Sequence, residues 1–318
     1  MKEIMSDIKK TIDNFIRDHG AWTAHNYLLS DNVYTISSKI TGDEFKLRRI
    51  IQNISDFSKK PFNELKIFDL ACLEGLYAIE CARLGAETVA LDIRQKNLDK
   101  IKFVKELLGL DKLFYVKDDI RNISLKKYGC FDVVLCLGIF YHLDREDLLP
   151  VIQRMYDITT NLVILDTHIS MKRSMKFIAQ GIEYYGSSYR EHRKDVTEEE
   201  RQNDTWKSFD NEFSFVLTKE SLLRMLQVSG FTSSAISLLP AENNKPYNRI
   251  TVIASKGQPV KSISAPLINE LPDERLEESD IKKYLSHYYQ ITYNNFLSFL
   301  RMNTPRKIKK LIKKIKSS

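Results

Sequence analysis

The sequence predicts an α/β fold in which a doubly wound, mostly parallel sheet carries helical N-terminal and C-terminal extensions. Short apolar runs rich in Val, Ile, Leu and Phe alternate with stretches of helical periodicity between about residues 60 and 166. Strands buried on both faces read as continuous apolar runs, and helical crossovers connect parallel neighbours. The alternation therefore favours a parallel sheet covered by helices.

The individual elements can be placed from apolar periodicity and from turn residues. The predicted strands of the first part are Lys66–Leu70, Thr88–Leu91, Lys112–Val116, Phe131–Leu137 and Asn161–Leu165. The predicted helices between them are Gly75–Leu84, Gln95–Leu108 and Glu146–Thr160. After a polar, Tyr-rich stretch the pattern resumes with a helix and two strands, at Lys219–Ser229, Ser234–Leu239 and Arg249–Ala254. The stretch that interrupts the pattern is long enough to be an insertion that faces a substrate.

Four parts are predicted along the chain. They are an N-terminal helical extension or lid over residues 1–60, a main domain over 61–256 with the insertion at about 167–213, a linker over 257–280, and C-terminal helices over 281–318. The opening helix lacks the apolar run of a signal peptide, and the linker is rich in Pro and charge. The four cysteines have no paired spacing, which favours a reducing cytoplasm, and no metal site is predicted.

The positive charge of the chain is concentrated at its C-terminal end. Basic residues from Arg306 to Lys316, with no acid among them, account for the whole formal net charge of +7, so residues 1–304 are formally neutral. Four apolar residues recur there at helical spacing, namely Ile308, Leu311, Ile312 and Ile315. Such a basic amphipathic helix is typical of anionic membrane surfaces, and residues 305–318 predict peripheral attachment to the inner face of the membrane. Contact with RNA phosphates, or a solvated or oligomer-packing helix, are the alternatives.

The turn after the first predicted strand has the layout of a nucleotide-binding βα turn. Lys66–Leu70 runs through Ala71, Cys72, Leu73 and Glu74 to Gly75 and then directly into a helix. A dinucleotide fingerprint needs three glycines at G-x-G-x-x-G spacing, and only Gly75 is present. NAD is therefore disfavoured as the ligand of this turn.

Asp69 to Gly75 resembles the acidic-x-Gly-x-Gly-x-Gly loop of class I S-adenosylmethionine-dependent methyltransferases, with Ala71 and Leu73 at two glycine positions. Asp92, at the end of the second strand, matches the family's acid that accepts both ribose hydroxyls. Asp119, with Asp118 as the alternative, matches the acid that binds the adenine amino group.

The stretch from Phe131 to Asp144 resembles the family's fourth strand and the loop that covers the methionine part of the cofactor. The resemblance covers about residues 60–256 and implies a Rossmann-like sheet of seven strands with S-adenosylmethionine as the cofactor. The cofactor-binding residues that it implies are Asp69, Ala71, Gly75, Asp92, Asp119, Ile120 and Leu137.

Two histidines are candidates for the chemistry. Methyl transfer is a displacement at a sulfonium carbon, so the enzyme positions the acceptor and, for a hydroxyl, removes its proton. His142 follows the fourth strand and His168 the fifth, at the carboxyl edge where open α/β sheets bind ligands. His168 is the first choice as the base. The alternatives are that His142 only closes over the cofactor, and that His168 only hydrogen-bonds Asp166 or a loop amide.

The mixture of aromatic and polar residues in the insertion suits a sugar or a polar aromatic acceptor, although a solvated lid fits it equally. Tyr141, Arg190 and His192 are the predicted substrate-binding residues. The predicted function is O-methylation of a hydroxylated small molecule or a glycan intermediate.

Two other functions stay open at this point. The Tyr141–Leu143 stretch also resembles tRNA wobble-uridine methyl and carboxymethyl transferases, but the neutral charge of residues 1–304 makes nucleic acid a less favoured partner. A cofactor-binding protein without catalysis is the third class, suggested by Leu73 in the loop. The sequence does not indicate an oligomeric state.

Overall fold

A computed structural model describes residues 2–39, 41–242 and 245–270 of the chain. The chain divides into two compact units, residues 1–258 and 259–318. The predicted C-terminal helices and the basic tail lie outside the described residues. Within the described ranges, no helix has the length and apolarity that crossing a membrane requires.

The helices of the described residues are α1 (Lys2–His19), α2 (Asp43–Ser58), α3 (Leu76–Arg83), α4 (Gln95–Leu108), α5 (Leu125–Tyr128), α6 (Arg145–Ile158), α7 (Glu198–Asn203) and α8 (Lys219–Val228). The strands are β1 (Leu28–Ser30), β2 (Val33–Tyr34), β3 (Lys66–Leu70), β4 (Glu87–Asp92), β5 (Leu113–Lys117), β6 (Phe131–Leu137), β7 (Thr159–His168), β8 (Met175–Ala179), β9 (Ile182–Arg190), β10 (Phe213–Leu217), β11 (Ser233–Ser237) and β12 (Arg249–Ser255).

Seven strands form the central sheet, in the spatial order β11-β12-β7-β6-β3-β4-β5. The five strands from β7 to β5 are parallel, and β12 runs antiparallel to both β7 and β11. Leu70 pairs with Leu91 on one side and with Cys136 on the other, so the carboxyl ends of β3, β4 and β6 lie level. The predicted doubly wound, mostly parallel sheet of seven strands is confirmed.

Apolar side chains cover both faces of this sheet. Successive strand residues point to opposite faces, and accordingly Ile67 and Phe68, both fully buried, belong to two different apolar clusters. The cluster around Ile67 includes Ile79 of α3 and Ile101 of α4, and the cluster around Phe68 includes Ile152 of α6. The sheet is thus buried between two helical layers, which leaves its edges for ligands.

The predicted insertion is largely a second sheet. Strands β8, β9 and β10 pair in the antiparallel order β10-β9-β8, and none of the three was predicted. Tyr184 of β9 is fully buried, and its ring lies 5.4 Å from that of Phe177. Gly186 faces the partner strand so closely that a Cβ would stand 2.2 Å from the carbonyl oxygen of Val216. The tyrosines that made the stretch look polar are therefore partly core residues.

Strand β7 extends further than predicted. Its pairing with β12 continues to the pair His168–Arg249, so His168 is the last residue of the strand rather than a loop residue after it. The adjacent antiparallel strand supplies the hydrogen bonds that prolong β7 beyond its apolar run.

Candidate functional site

The loop between β3 and α3 has left-handed backbone conformations at alternate residues. The φ angles are 53° at Ala71, 52° at Leu73 and 86° at Gly75. These are the three glycine positions of the motif, and side chains at such positions cost roughly 1–2 kcal/mol each. The loop therefore follows the path that glycines would allow, with two non-glycine residues held in it by the surrounding structure.

Asp92, at the end of β4, supports this loop. One carboxylate oxygen accepts a hydrogen bond from the amide of Leu73 at 2.9 Å, and the other accepts from the amide of Arg94 and the side chain of Asn97. Asp92 is only 4% exposed, and burial raises the pKa of its carboxyl although these donors oppose the shift.

Glu74 fixes the same loop from the other side. Its buried carboxylate accepts hydrogen bonds from the consecutive amides of Thr23, Ala24 and His25 at 2.9–3.0 Å and from the ammonium of Lys100 at 2.6 Å. The ring of His25 in turn accepts from the first amide of α3, that of Leu76, at 3.1 Å. Residues 22–27 thus form a packed corner under the loop between β3 and α3, which we call the cofactor loop after the resemblance described above.

Asp69 lies below the loop with an unsatisfied oxygen. The residue is 1% exposed, and among the described residues its Oδ2 has no hydrogen-bond partner. Burial, with a contribution from the charge of Asp92, raises the pKa of Asp69 to about 8. The neighbouring hydroxyl of Tyr77 is also buried without a described partner, and the ammonium of Lys46 lies 5.4 Å from the Tyr77 ring.

A narrow cavity lies at the carboxyl edge beside this loop. It is lined by Ala71, Asp92, Asp119, Ile120 and His142, among others. Both side-chain oxygens of Asp119 accept from the guanidinium of Arg121, which holds this carboxylate at the cavity wall. The structure therefore brings together four of the predicted cofactor residues and one predicted catalytic histidine.

His142 has a buried acidic partner that the sequence did not suggest. Its Nδ1 lies 2.7 Å from Oε1 of Glu191, and the hydroxyl of Tyr189 donates to the same oxygen at 2.6 Å. The hydroxyl of Ser214 also donates to it. The pKa of Glu191 is held below its usual range by His142 and the hydroxyl donors, although burial opposes them. This carboxylate fixes the orientation of the His142 ring.

A second and wider cavity, of about 450 Å³, lies between β7 and the three-stranded sheet. Tyr141, His168, Ser187, Tyr189 and Asn248 are among its lining residues. The rings of Tyr141 and His168 meet edge to face at 4.7 Å, and Tyr141 precedes His142 of the first cavity. The two cavities are therefore separated by the turn at residues 140–142.

His168 hydrogen-bonds Asn248 rather than Asp166. The distance from its Nδ1 to Oδ1 of Asn248 is 3.2 Å, whereas the oxygens of Asp166 are bound by Arg249 and Thr251, each at 2.6 Å. Burial and the positive charge of Arg249 lower the pKa of His168. The lowered pKa favours the neutral form of the imidazole at pH 7, the form that can accept a proton.

Five predicted residues lie outside the linings of these cavities, namely Asp69 and Gly75 of the loop described above and Leu137, Arg190 and His192. Arg190 forms an ion pair with Glu212 and stacks on Phe213, because the end of β9 turns its side chain toward β10. His192 is buried and lies 2.8 Å from the carbonyl oxygen of Ser208. Leu137 ends β6 and packs against the apolar cluster around Ile67.

Comparison with known proteins gives the family. Residues 67–161 match the model of a methyltransferase domain. A ubiquinone biosynthesis O-methyltransferase of Pelagibacter ubique is 34% identical over 107 residues, 32% of this chain and 43% of that protein. The chain carries a class I S-adenosylmethionine-dependent methyltransferase domain. The cofactor of this methyltransferase domain is S-adenosylmethionine, as the sequence predicted.

Other similarities of the methyltransferase domain are more distant. The O-antigen chain terminator bifunctional methyltransferase/kinase WbdD of Escherichia coli is 23% identical over 124 residues, 37% of this chain and 18% of that protein. The chain thus spans less than half the length of either curated relative. The N-terminal domain of EvdMO1, solved with S-adenosylhomocysteine (SAH) bound, has a TM-score of 0.61 at 18% identity, covering 78% of this chain and 97% of that one. This structural likeness shows the fold.

Sequence reasoning missed several residues of this edge. Glu74 lies inside the motif loop, and an acidic residue within this apolar stretch was a signal in the sequence that it has a structural role. Glu191 stands beside two predicted residues, Arg190 and His192, but only the pairing of β9 with β10 brings it under His142. Asn248 carries no local signal, because it reaches His168 only through the antiparallel pairing of β12 with β7.

Proposed function

We propose that the methyltransferase domain transfers the methyl group of S-adenosylmethionine to a hydroxyl of a small molecule or a glycan intermediate. The observation that carries the proposal is the wide cavity beside the cofactor edge, lined by His168 and by hydroxyl and amide groups. Its volume of about 450 Å³ lies within the range of roughly 300–1,000 Å³ typical of small-molecule sites.

The residues under the cofactor loop fit the amino-acid end of S-adenosylmethionine. An ammonium group would satisfy the unpartnered oxygen of Asp69, and a carboxylate would meet the ammonium of Lys46 above Tyr77. The carboxylates of Asp92 and Asp119 suit the ribose hydroxyls and the adenine amino group. When bound, the cofactor supplies an electrophilic methyl group.

His168 acts on the acceptor as the general base. Because its Nδ1 faces the amide oxygen of Asn248, the proton sits on Nδ1 and the lone pair on Nε2. That lone pair accepts the proton of an acceptor hydroxyl as the methyl group is transferred. His142, held by Glu191, closes the wall between the two cavities and is the second candidate for this role.

Tyrosine rings and polar groups define the acceptor that the cavity fits. Tyr141, Tyr189 and Tyr247 offer flat faces, while Ser187 and Asn248 offer hydrogen bonds. This combination suits a hydroxylated ring. Relatives named as O-methyltransferases of ubiquinone biosynthesis, and a structure of the EvdMO1 N-terminal domain determined in the presence of SAH and D-fucose, support this class.

We also propose that residues 305–318 hold the protein at an anionic membrane surface on the cytoplasmic side. The support is the charge and apolar pattern of the sequence. An acceptor made at the membrane would then be met there, with no transmembrane helix required.

The proposal is tested in two steps with the full chain. Isothermal titration with S-adenosylmethionine and SAH should give micromolar binding, with NAD as the ligand that does not bind. Incubation with radiolabelled cofactor and a panel of catechols and hydroxylated sugars should then give a labelled product with wild type, and far less with His168→Ala. The matched control is His19→Ala, on the exposed end of α1. Failure of the cofactor to bind would overturn the proposal, and so would a labelled nitrogen or carbon atom in the true acceptor.

A further inference from the structure

Part of the insertion crosses the narrow cavity lined by Asp92 and Asp119, which we call the cofactor cavity. It is bound by hydrogen bonds and an ion pair to residues that line or adjoin this cavity. We call residues 202–211 the lid segment. The guanidinium of Arg94 donates hydrogen bonds to three carbonyl oxygens of this segment, those of Gln202, Asp204 and Lys207, at 2.9–3.0 Å. Arg94 lies two residues after Asp92, the predicted ribose-binding acid. The three hydrogen bonds of Arg94, which we call the Arg94 latch, therefore connect the lid segment to the chain next to that acid.

The other end of the lid segment is fastened in the same way. Asp210 forms an ion pair with Arg121, which also holds the predicted adenine-binding Asp119. Asn211 donates to the carbonyl oxygen of His142 at 3.0 Å. Each attachment thus begins at or next to a residue of the cofactor cavity.

Phe209 is the apolar residue of the lid segment that reaches the cavity. It lines the cavity together with Asp92 and Asp119, and the guanidinium of Arg94 lies 5.3 Å from its ring centroid. Trp206, three residues earlier, is 62% exposed and is not among the lining residues. The segment therefore presents one aromatic ring inward and one outward.

The closed lid segment leaves little room. The cavity measures about 60 Å³, several times less than the roughly 300 Å³ at the small end of ligand pockets. A molecule the size of S-adenosylmethionine enters only if the lid segment moves outward, and Phe209 then closes on whatever the acids bind.

We propose that Phe209 is a cofactor-binding residue, which packs on the nucleoside of S-adenosylmethionine when the lid segment closes and releases it when the Arg94 latch opens. The inference rests on the proposed function only in that the cofactor binds at Asp92 and Asp119. An aromatic face is suited to a purine, since stacking needs only a π face.

The lid segment is also tied to the acceptor cavity. The amide of Ser208 donates to Glu191 at 3.3 Å, and its carbonyl oxygen faces His192, so the two residues that follow β9 hold it. Tyr189 of the same strand lines the acceptor cavity. Closure of the lid segment over the cofactor therefore positions one wall of the acceptor cavity. We accordingly expect the cofactor to bind before the acceptor.

Two ligands distinguish the role of Phe209. SAH carries the amino acid and the nucleoside, whereas 5′-methylthioadenosine lacks the amino acid. Phe209→Ala should weaken binding of both ligands by a similar factor, about tenfold, which is within the range of base–aromatic stacking. Trp206→Ala is the matched control on the same segment and should bind both as wild type does. Phe209→Leu keeps an apolar side chain and should fall between them.

Measurements of the rate at which SAH dissociates test the Arg94 latch. Arg94→Ala should raise the dissociation rate of SAH in stopped-flow measurements, with Trp206 fluorescence as the reporter of lid movement. Unchanged affinity in Phe209→Ala, with wild type binding SAH normally, would overturn this inference and leave the proposed function intact. No binding of SAH by wild type would overturn the proposed function itself.

Discussion

Asp92 and Leu73 join the second strand of the parallel sheet to the cofactor loop. The carboxylate accepts the Leu73 amide at 2.9 Å, at a residue whose φ of 52° a leucine rarely adopts. The same carboxylate lines the cofactor cavity. Asp92 therefore both holds the strained loop and lines the cavity in which we propose that the cofactor binds.

Asp92→Asn should weaken SAH binding by about 2 kcal/mol, which is roughly thirtyfold, because a charge-assisted hydrogen bond is lost and one acceptor is replaced by a donor. Isothermal titration measures the change. Asp111→Asn, on an exposed turn, is the control. Wild-type affinity in Asp92→Asn would remove this carboxylate from the site.

Cofactor binding should change the protonation state of Asp69. Its pKa of about 8 reflects burial above all, with the charge of Asp92 raising it and the Ala78 amide and Lys46 lowering it, so at pH 7 the free carboxyl is mostly protonated. Pairing with an ammonium ionises it and releases a proton. Above the pKa of the ligand's own α-amino group, that group must instead take up a proton.

The affinity for SAH should therefore rise as the pH increases from 7 to about 8 and should fall only when the amino group of the ligand loses its proton. Titrations in buffers of different ionisation enthalpy should show proton release at pH 7, which should diminish as the pH rises through about 8. In Asp69→Asn the release at pH 7 should vanish. Because the raised pKa means that ionising Asp69 costs folding free energy as pH rises from about 4 to 8, Asp69→Asn should also melt at a higher temperature at pH 8. Proton release that persists in Asp69→Asn would contradict this role.

Glu74 should be a residue of stability rather than of ligand binding. Its pKa is held low by the backbone of His25 and by Lys100, against the effect of burial. Glu74→Gln leaves the buried ammonium of Lys100 without its carboxylate partner and should lower the free energy of unfolding by about 3 kcal/mol. Urea denaturation at pH 7 measures it, with the exposed Glu64→Gln as the control.

The contribution of Glu74 should also depend on pH in a defined direction. Since its folded pKa lies below the unfolded value, the stabilisation is present above the unfolded pKa and is lost as pH falls through the folded one. The difference between wild type and Glu74→Gln should shrink in acid. An equal difference at pH 7 and in strong acid would contradict the buried pair.

The parallel sheet could be predicted because its strands and helices depend on local properties of the sequence. Lys66–Leu70, Gln95–Leu108 and Phe131–Leu137 were predicted with the bounds that the structure shows. Their apolar runs and the residues that end them lie within a few positions of each other, and packing against a covered sheet leaves few alternatives.

The partners of the histidines could not be predicted, because they come from distant strands. Glu191 reaches His142 across 49 residues and Asn248 reaches His168 across 80. Both contacts depend on antiparallel pairings of β9 and β12 whose register is set by tertiary packing. The Tyr-rich insertion was misleading for a related reason, since Tyr184 is buried between strands that the alternation did not reveal.

His168 should titrate below the usual imidazole pKa of about 6.5, because burial and Arg249 disfavour its charged form. Proton–nitrogen NMR of the histidine rings, assigned with His168→Asn, measures this directly, and Nδ1 should carry the proton. Turnover on the true acceptor should fall as pH drops through the same value. A His168 that is protonated at pH 7 would transfer the role of base to His142.

Residues 305–318 should attach the chain to anionic vesicles through both charge and apolar contact. Deleting them should abolish cosedimentation with phosphatidylserine vesicles while leaving SAH affinity unchanged, because the cofactor cavity lies in residues 1–258. Replacing Ile308, Leu311, Ile312 and Ile315 with serine keeps all seven positive charges. That variant should bind only at low salt. Its remaining electrostatic attraction is screened at higher salt, and the apolar side chains that insert into the membrane are lost. If it binds as wild type does at 0.15 M salt, the tail acts as a polybasic segment and not as an amphipathic helix.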